Sequence, residues 1–285
     1  MTSIKRMRPL LGTFVELGVL SDTHHSKADL QRAVNNAFAH IELIHRLLSF
    51  HNPDSDLTRL NSACGDWVDC HPLSIQCLRL ARAMTRISKH NFNCTLGYSV
   101  VQKGALPAHR FTEHYKDQLL TRGNWQDLEL KPQQARLNRP VLVSLDGIAK
   151  GFAVDQAIKS LKASGIASAW VNAGGDMRCY GDSLLPIAVR DHRQQEHLLG
   201  GLQNAAIATS TSAASRDYPG LLLGAEGQQQ APATWCVMAH SAWRADALTK
   251  VAANTAAAER EQFVRQLGGR WIPLPSAPEN PSPSV

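Results

Sequence analysis

The sequence has no uninterrupted apolar run of the roughly 18 to 20 residues that a membrane-spanning helix requires. It also lacks CxxC pairs, an HExxH motif and any Cys/His spacing typical of a metal site, and its six cysteines are scattered. A chain of 285 residues can bury a core without a disulfide framework, so we expect reduced thiols. The basic residues form no dense Lys/Arg block with interleaved aromatics, so the net charge of +6 does not indicate nucleic-acid binding.

The N-terminal segment has basic residues followed by an apolar run, as a signal peptide does. Glu16 interrupts this run, and no small-residue cleavage site follows it. The alternation of apolar and polar residues from Phe14 to Leu20 is instead typical of a strand. We therefore expect a strand over 10–20 and a protein that remains in the cytoplasm.

Helices and strands alternate irregularly along the chain, which favours an α+β fold with one domain and a mixed, mainly antiparallel sheet. We expect this domain to span residues 1–274 and the Pro/Ser-rich tail 275–285 to be disordered. Residues 49–61 are predicted to form a loop, and residues 98–126 have no regular pattern. Apolar spacing predicts helices over 27–48, 74–89, 151–164 and 243–258, and further strands over 127–130, 135–138, 141–145, 168–173, 177–181, 186–190, 205–210, 233–239 and the segment GGRWIPL.

The segment LVSLDGIAKGFAVD places Asp146 and Lys150 four residues apart, each beside a glycine, where a strand passes into a helix. A helix N-terminus offers free N–H groups to an anion, and Lys150 would add a positive charge for a phosphate. Alternatively, Gly147 and Gly151 only shape the connection and Asp146 is exposed. The segment alone leaves both interpretations open.

Three other segments each have a functional and a structural interpretation. VNAGGDMRCYG is either a ligand-binding turn or a hairpin turn, and AIATSTSAAS carries hydroxyls that suit phosphate or a surface loop. RADALTKVAAN places Asp246, Thr249 and Lys250 on one helical turn. The side-chain oxygens of Asp246 and Thr249 could bind Mg²⁺, or Asp246 and Lys250 could form a solvent-facing i,i+4 pair.

Taken together and in this order, several segments resemble the FAD:protein FMN transferase (ApbE) family. The resemblance covers residues 10 to 255, nearly the whole folded chain. The matching segments are LLGTFVEL, LLSFHNPDSDLTRLN, NFNCTLG, GIAKGFAVDQAI, VNAGGDMRCYG, ATS and ADALTKVA.

The resemblance implies an ApbE-like domain that binds FAD and transfers FMN to a Thr or Ser hydroxyl of a target flavoprotein, with AMP as the leaving group. It implies Mg²⁺ bound by the backbone carbonyl of Gly147, the carboxylate of Asp246 and an oxygen of Thr249. Lys150 would lie beside the flavin nucleotide and act with Asp246 in catalysis. The FAD pocket would also include Leu11, His51, Asn91, Phe92, Asn93 and Ser144.

The sequence differs from the family pattern at several of these positions. Ser144 stands where an FAD-contacting Asp is expected, and Asp146 stands where Gly is expected. His51 replaces a phenolic residue, and Lys250 replaces a metal-site Thr. An HxxDPxTG segment expected after ATS is not found. A catalytically impaired FAD-binding homologue and an FAD pyrophosphatase are therefore alternative functions.

Overall fold

The computed structural model describes residues 3–20, 25–63, 65–182, 184–213, 222–224, 227–228 and 230–274. The predicted disordered tail, 275–285, lies outside these residues, as does Cys64. The five cysteines within them are free and buried. Among the helices of these ranges, none has the length and apolar character needed to cross a membrane.

The helices predicted over 27–48, 74–89 and 151–164 begin and end within two residues of the predicted bounds. Helix α1 begins with a capping box, in which Ser26 accepts from the N–H of Asp29 and the Asp29 carboxylate accepts from the N–H of Ser26. The helices of the described ranges are α1 Lys27–Leu48, α2 Asp56–Ser62, α3 Pro72–Ile87, α4 Gly97–Gln102, α5 Arg110–His114, α6 Ala149–Ala163, α7 Ala242–Asn254 and α8 Ala257–Gln266.

A seven-stranded sheet of order β1-β2-β6-β7-β10-β11-β12 forms the centre of the fold, beside a three-stranded sheet β3-β5-β4 and a two-stranded sheet β8-β9. Every pairing of described strands is antiparallel, which confirms the expected α+β fold and its mainly antiparallel sheet. The strands are β1 Ser3–Leu10, β2 Thr13–Leu20, β3 Val68–Asp69, β4 Leu128–Leu130, β5 Gln134–Leu137, β6 Ser168–Ala173, β7 Asp176–Tyr180, β8 Leu185–Arg190, β9 Glu196–Leu202, β10 Ala206–Thr211, β11 Thr234–Ala239 and β12 Gly269–Ile272.

Hydrophobic side chains pack on both faces of the large sheet. In β2, Val15, Leu17 and Val19 are buried on the face that α1 packs against, because alternate residues of a strand point to the same face. The neighbouring residues Cys179 and Tyr180 of β7 belong to different hydrophobic clusters, so the other face is covered as well. The β8-β9 hairpin supplies most of that cover.

The N-terminal segment forms a hairpin, so the single strand predicted over 10–20 is wrong at its start. Leu11 and Gly12 form the turn between β1 and β2, and both have positive φ, 57° and 70°. This backbone conformation fits the tight turns that join antiparallel strands. The basic residues before the turn form β1.

Two segments predicted to be irregular contain short helices. Ser55 lies in the predicted 49–61 loop, but its side chain accepts from the N–H of Thr58 and caps α2. Asp56 is buried beside this cap and accepts hydrogen bonds from the Ser74 hydroxyl and the His71 N–H. Helix α5 lies within the predicted irregular stretch 98–126, and α4 overlaps its start.

Residues 141–145 form no strand, although they are apolar and were predicted to be one. Their backbone pairs with loops and with one side chain. Val143 donates its N–H to Asn61 Oδ1 at 2.8 Å, and the Asn61 amide donates to the Val143 carbonyl at 2.9 Å. The Asn61 side chain thus takes the place of a neighbouring strand.

The predicted helix 243–258 consists of two helices, and the strand β9 was not predicted. Helix α7 ends at Asn254 because Thr255 has an extended backbone, with φ −98° and ψ 137°. The Arg260 side chain then donates to the carbonyls of Ala252 and Thr255, which leaves α8 free to turn away.

Candidate functional site

The first turn of α6 carries Lys150, and its side chain reaches the second strand of the β6-β7 hairpin. Lys150 Nζ lies 2.9 Å from Oδ2 of Asp176, whose side chain is 1 % exposed. Gly174 and Gly175, with φ of 61° and 99°, form the hairpin turn immediately before Asp176. The hairpin interpretation of this segment is therefore correct, and the acid that follows the turn belongs to a buried ion pair.

Two residues of α7, one helical turn apart, form a second ion pair. Lys250 Nζ donates to Asp246 Oδ1 at 2.5 Å, and the Asp246 side chain is fully buried. The other carboxylate oxygen, Oδ2, accepts from the N–H of Gly151 at 3.2 Å. The predicted i,i+4 pair thus exists, but it is inside the protein and not on a solvent-facing surface.

The hydroxyls of β10 and α7 complete this cluster. Thr249 Oγ1 donates to the Asp246 carbonyl at 2.7 Å, and it lies 2.7 Å from Ser210 Oγ. Lys250 Nζ also donates to Ser210 Oγ, at 3.0 Å. One hydroxyl of the AIATSTSAAS segment is therefore part of the site.

Gly151 and Asp155 bring α6 and α7 into contact. A Cβ atom on Gly151 would lie 2.3 Å from the Ala242 carbonyl oxygen, so only glycine permits this approach. The Asp155 carboxylate accepts from the N–H groups of Ala242 and Trp243, at 3.0 and 2.9 Å, and so caps α7. Arg178 is bound to the same carboxylate. These contacts set the position of Asp246 relative to Lys150.

The three carboxylates at this end of the sheet differ in exposure and in electrostatics. Burial, and next the charge of Asp246, raises the pKa of Asp176 to about 6, while Lys150 and Lys250 oppose this rise. Asp146 is exposed, but protein atoms crowd around it. The resulting desolvation raises its pKa, and the hydrogen bond from Ser144 opposes this rise. Asp146 therefore marks the open side of the cluster.

The structure brings several of the predicted residues together. A Cβ atom on Gly147 would lie 3.1 Å from the Phe92 ring and 3.2 Å from Lys250 Cε, so this glycine leaves room between them. Ser144 Oγ donates to Asp146 Oδ2 at 3.0 Å. His51 is exposed, and its charge acts favourably on Asp146.

Asn91 and Asn93 are predicted FAD contacts, but their side chains are bound within the protein. Asn91 donates to the Thr255 hydroxyl at 3.3 Å, and Asn93 donates to the Gly123 carbonyl at 3.2 Å. Asn93 Oδ1 also accepts from the N–H of Thr95. These contacts shape the loop that presents Phe92.

Leu11 lies in the β1-β2 turn, close to the β6-β7 turn. Thr13 comes two residues later and packs against Gly174, where a Cβ atom would be 2.5 Å from Thr13 Oγ1. The N–H of Leu11 faces His45 Nδ1 at 3.4 Å. A cavity of about 540 Å³ opens beside this turn, a size that suits a small ligand; it is lined by Leu10, Ala39, Glu42, His45, Arg46 and Asn52.

The expected Mg²⁺ ligands do not fit an additional cation in the arrangement described. The Asp246 carboxylate already binds the Lys250 ammonium and the Gly151 N–H. The Thr249 hydroxyl is bound to the Asp246 carbonyl and to Ser210. In the ranges that the structure covers, no three His, Cys, Asp or Glu side chains are grouped to hold a metal ion. Gly147, Asp246 and Thr249 lie together in the site, where the Lys250 ammonium binds the Asp246 carboxylate, and their role as Mg²⁺ ligands stays a prediction.

Three residues of this region were not predicted from the sequence. Asp155, Asp176 and Ser210 have no characteristic spacing, and an acid or hydroxyl looks the same in sequence whether it is buried or exposed. The signal that existed was position: Asp176 follows a Gly-Gly turn, and Asp155 ends the GFAVD segment one turn after Gly151.

Comparison with solved structures supports the fold. The chain superposes on the apo form of the flavinyl transferase ApbE of Pseudomonas stutzeri with a TM-score of 0.76 at 18% identity, covering 93% of this chain and 88% of that one. For the ApbE protein of Thermotoga maritima the TM-score is 0.77 at 19% identity, covering 94% and 93%. For the flavin transferase ApbE of Vibrio cholerae it is 0.71 at 17%, covering 88% and 86%.

No curated protein matched the sequence. The model of the ApbE family matches residues 11–270, which include both turns, both ion pairs and the hydroxyl cluster described above. Sequence and fold agree, and the chain belongs to the ApbE family.

Proposed function

We propose that this protein transfers the FMN portion of FAD to a Thr or Ser hydroxyl of a target flavoprotein and releases AMP. Membership of the ApbE family and similarity of fold to flavin transferases support this activity. One structural observation carries it: Lys150 and Lys250, both partly exposed, lie beside two buried carboxylates. Two partly exposed lysines suit the pyrophosphate of a dinucleotide.

The reaction forms one P–O bond and breaks another. The acceptor hydroxyl oxygen bonds to the phosphorus on the riboflavin side, the bridging P–O bond breaks, and AMP leaves with the bonding electron pair. Such a transfer depends chiefly on positioning and on neutralising charge at the phosphoryl oxygens. In this proposal Lys150 and Lys250 provide that positive charge.

The hydroxyl proton needs an acceptor that solvent and substrate can reach. Of the three carboxylates in the cluster, Asp176 and Asp246 are buried and Asp146 is exposed. Asp146 also lies where the charges of His51, Lys150 and Lys250 act on it. We place the proton on Asp146, acting as a general base.

The remaining residues position these groups and the flavin. Asp246 holds Lys250, and Gly147 leaves room for the Lys250 side chain. The Phe92 ring borders the same space. Leu11, His51 and Ser144 remain predicted FAD contacts, and the loop of Asn91 and Asn93 contributes through its backbone.

The test is incubation of the protein with FAD and a candidate flavoprotein, followed by two measurements. AMP is quantified by chromatography, and covalent flavin is detected by fluorescence of the denatured acceptor. We expect AMP and bound flavin in equal amounts, and no flavin on an acceptor whose target Thr is replaced by Val. AMP and free FMN without any acceptor would instead identify a pyrophosphatase.

A non-catalytic FAD-binding protein is the second candidate. The observation that favours it is the Asp246 carboxylate, whose two oxygens are both bound within the protein. Under this function the protein binds FAD and releases no AMP with any acceptor. That result would contradict the transferase proposal.

A further inference from the structure

The ammonium of Lys250 lies among three oxygens of different chemical types. Its Nζ atom is 2.5 Å from the carboxylate oxygen Oδ1 of Asp246, 3.0 Å from the hydroxyl of Ser210 and 3.3 Å from the backbone carbonyl of Asp246. Carboxylate, hydroxyl and carbonyl oxygens are the hard donors that bind divalent cations in proteins. An ammonium group donates three hydrogen bonds, and the same oxygens can accept them.

We propose that Lys250 is a built-in cation that fills this oxygen site, so that the protein holds its positive charge there without binding a divalent metal ion. The side chain is suited to the place. The Asp246 carboxylate is fully buried and needs an opposite charge, and Lys250 supplies one from the next turn of the same helix. Gly147, which has no side chain, makes room for the Lys250 methylenes.

Each buried carboxylate of the site already has a lysine partner. Asp176 pairs with Lys150, and Asp246 pairs with Lys250. The exposed Asp146 adds a negative charge beside these two pairs. A divalent ion entering the oxygen site would meet two nearby ammonium groups, so like-charge repulsion opposes its binding.

The inference about metal binding does not depend on the enzymatic activity. It can be tested with Mn²⁺ alone, because bound and free Mn²⁺ have different electron paramagnetic resonance signals. We expect no saturable, Asp246-dependent binding to the wild-type protein. Lys250→Ala opens the site and removes one charge, so we expect saturable Mn²⁺ binding in this variant, at least ten-fold tighter than any residual binding to the wild type.

Matched variants locate the effect. Lys159→Ala removes an exposed lysine from α6, and we expect it to behave as the wild type does. Asp246→Asn combined with Lys250→Ala should abolish the binding gained in the single variant. If circular dichroism shows that Lys250→Ala folds poorly, Lys250→Thr serves as a second variant that removes the ammonium and opens the site. Asp246-dependent binding of Mn²⁺ to the wild type would overturn the proposal, as would folded opening variants that bind none.

The consequence for turnover rests on the proposed function. If the protein cleaves FAD, a chelator should change the rate of AMP release from the wild type by less than two-fold. Loss of AMP release with chelator and its recovery with Mg²⁺ would overturn the proposal that Lys250 takes the place of a divalent metal ion. If the protein cleaves no FAD under either condition, the transferase proposal fails, while the Mn²⁺ titration still decides the role of Lys250.

Discussion

Lys250 Nζ lies 2.5 Å from Asp246 Oδ1, and the two residues differ sharply in exposure. The Asp246 side chain is fully buried, whereas 21% of the Lys250 side chain remains exposed. The Lys250 side chain therefore connects a carboxylate in the protein interior with the protein surface.

Asp246→Asn should reduce FAD cleavage by about 100-fold or more, in the range found when one oriented electrostatic group is removed from an active site. Asn can still accept from the Gly151 N–H, but it no longer attracts Lys250. The measurement is AMP release at saturating FAD, with thermal unfolding as a check on the fold. Asp182→Asn removes an exposed acid after β7 and should leave the rate unchanged. Full activity in Asp246→Asn would contradict the assigned role.

Lys150→Met should raise the Kd for FAD by about ten-fold, since roughly 1.4 kcal/mol of binding free energy is lost with one phosphate-directed charge. The same change leaves Asp176 buried without its partner and destabilises the fold. Adding Asp176→Asn should restore stability and leave FAD binding weak. Lys159→Met, on the same helix, is the control. Recovery of FAD affinity in the double variant would show that Lys150 acts only through Asp176.

Gly151→Ala should lower the free energy of unfolding by about 1 to 3 kcal/mol, as expected for overpacking. Its Cβ atom would lie 2.3 Å from the Ala242 carbonyl oxygen and push α7 away from α6. Helix propensity alone predicts the opposite sign, because Ala is favoured over Gly by about 1 kcal/mol in a helix. Urea unfolding measures the difference. A more stable variant would mean that α6 and α7 are not held in close contact.

Asp176 makes a pH-dependent contribution to stability. Its pKa is raised to about 6 from the model-compound value of 3.8, so between these two pH values the folded protein holds a proton that the unfolded chain has lost. The contribution is fully present below about pH 4 and is lost as the pH rises through 6. The groups that face Asp176 are Lys150, Asp246 and Lys250.

Asp176→Asn removes this titration. The Tm of the variant minus that of the wild type should therefore increase as the pH rises from 4.5 to 7. Asp182→Asn provides the exposed control and should show a constant difference. A Tm difference between Asp176→Asn and the wild type that stays constant or shrinks across this range would contradict the assignment.

The elements that could be predicted from sequence are those with local signals. Helix α1 has apolar residues at helical spacing and a capping box, and β6 alternates buried and part-buried residues along its length. Strand β9 was missed because Gly200 and Gly201 weaken its strand propensity. The pairing of Asn61 with Val143 spans 82 residues, and no local pattern announces it.

In the site, too, some features could be predicted from the sequence and others could not. Gly147, Lys150, Asp246 and Thr249 were proposed from their resemblance to family motifs, and the structure brings them to one end of the sheet. Their roles in binding and catalysis stay predictions. The spacing of Asp246 and Lys250 could not show that they form a buried ion pair, because an i,i+4 pair has the same sequence pattern on a surface and in a core.

The cap that Asp155 places on α7 has a consequence for how the molecule is made. Its partners Ala242 and Trp243 lie 87 and 88 residues later in the chain, and the bond from Gly151 to Asp246 spans 95. During synthesis the Asp155 carboxylate emerges from the ribosome long before the helix that it caps. The two halves of the site therefore meet late, and a nascent chain that has not yet formed α7 has no assembled site.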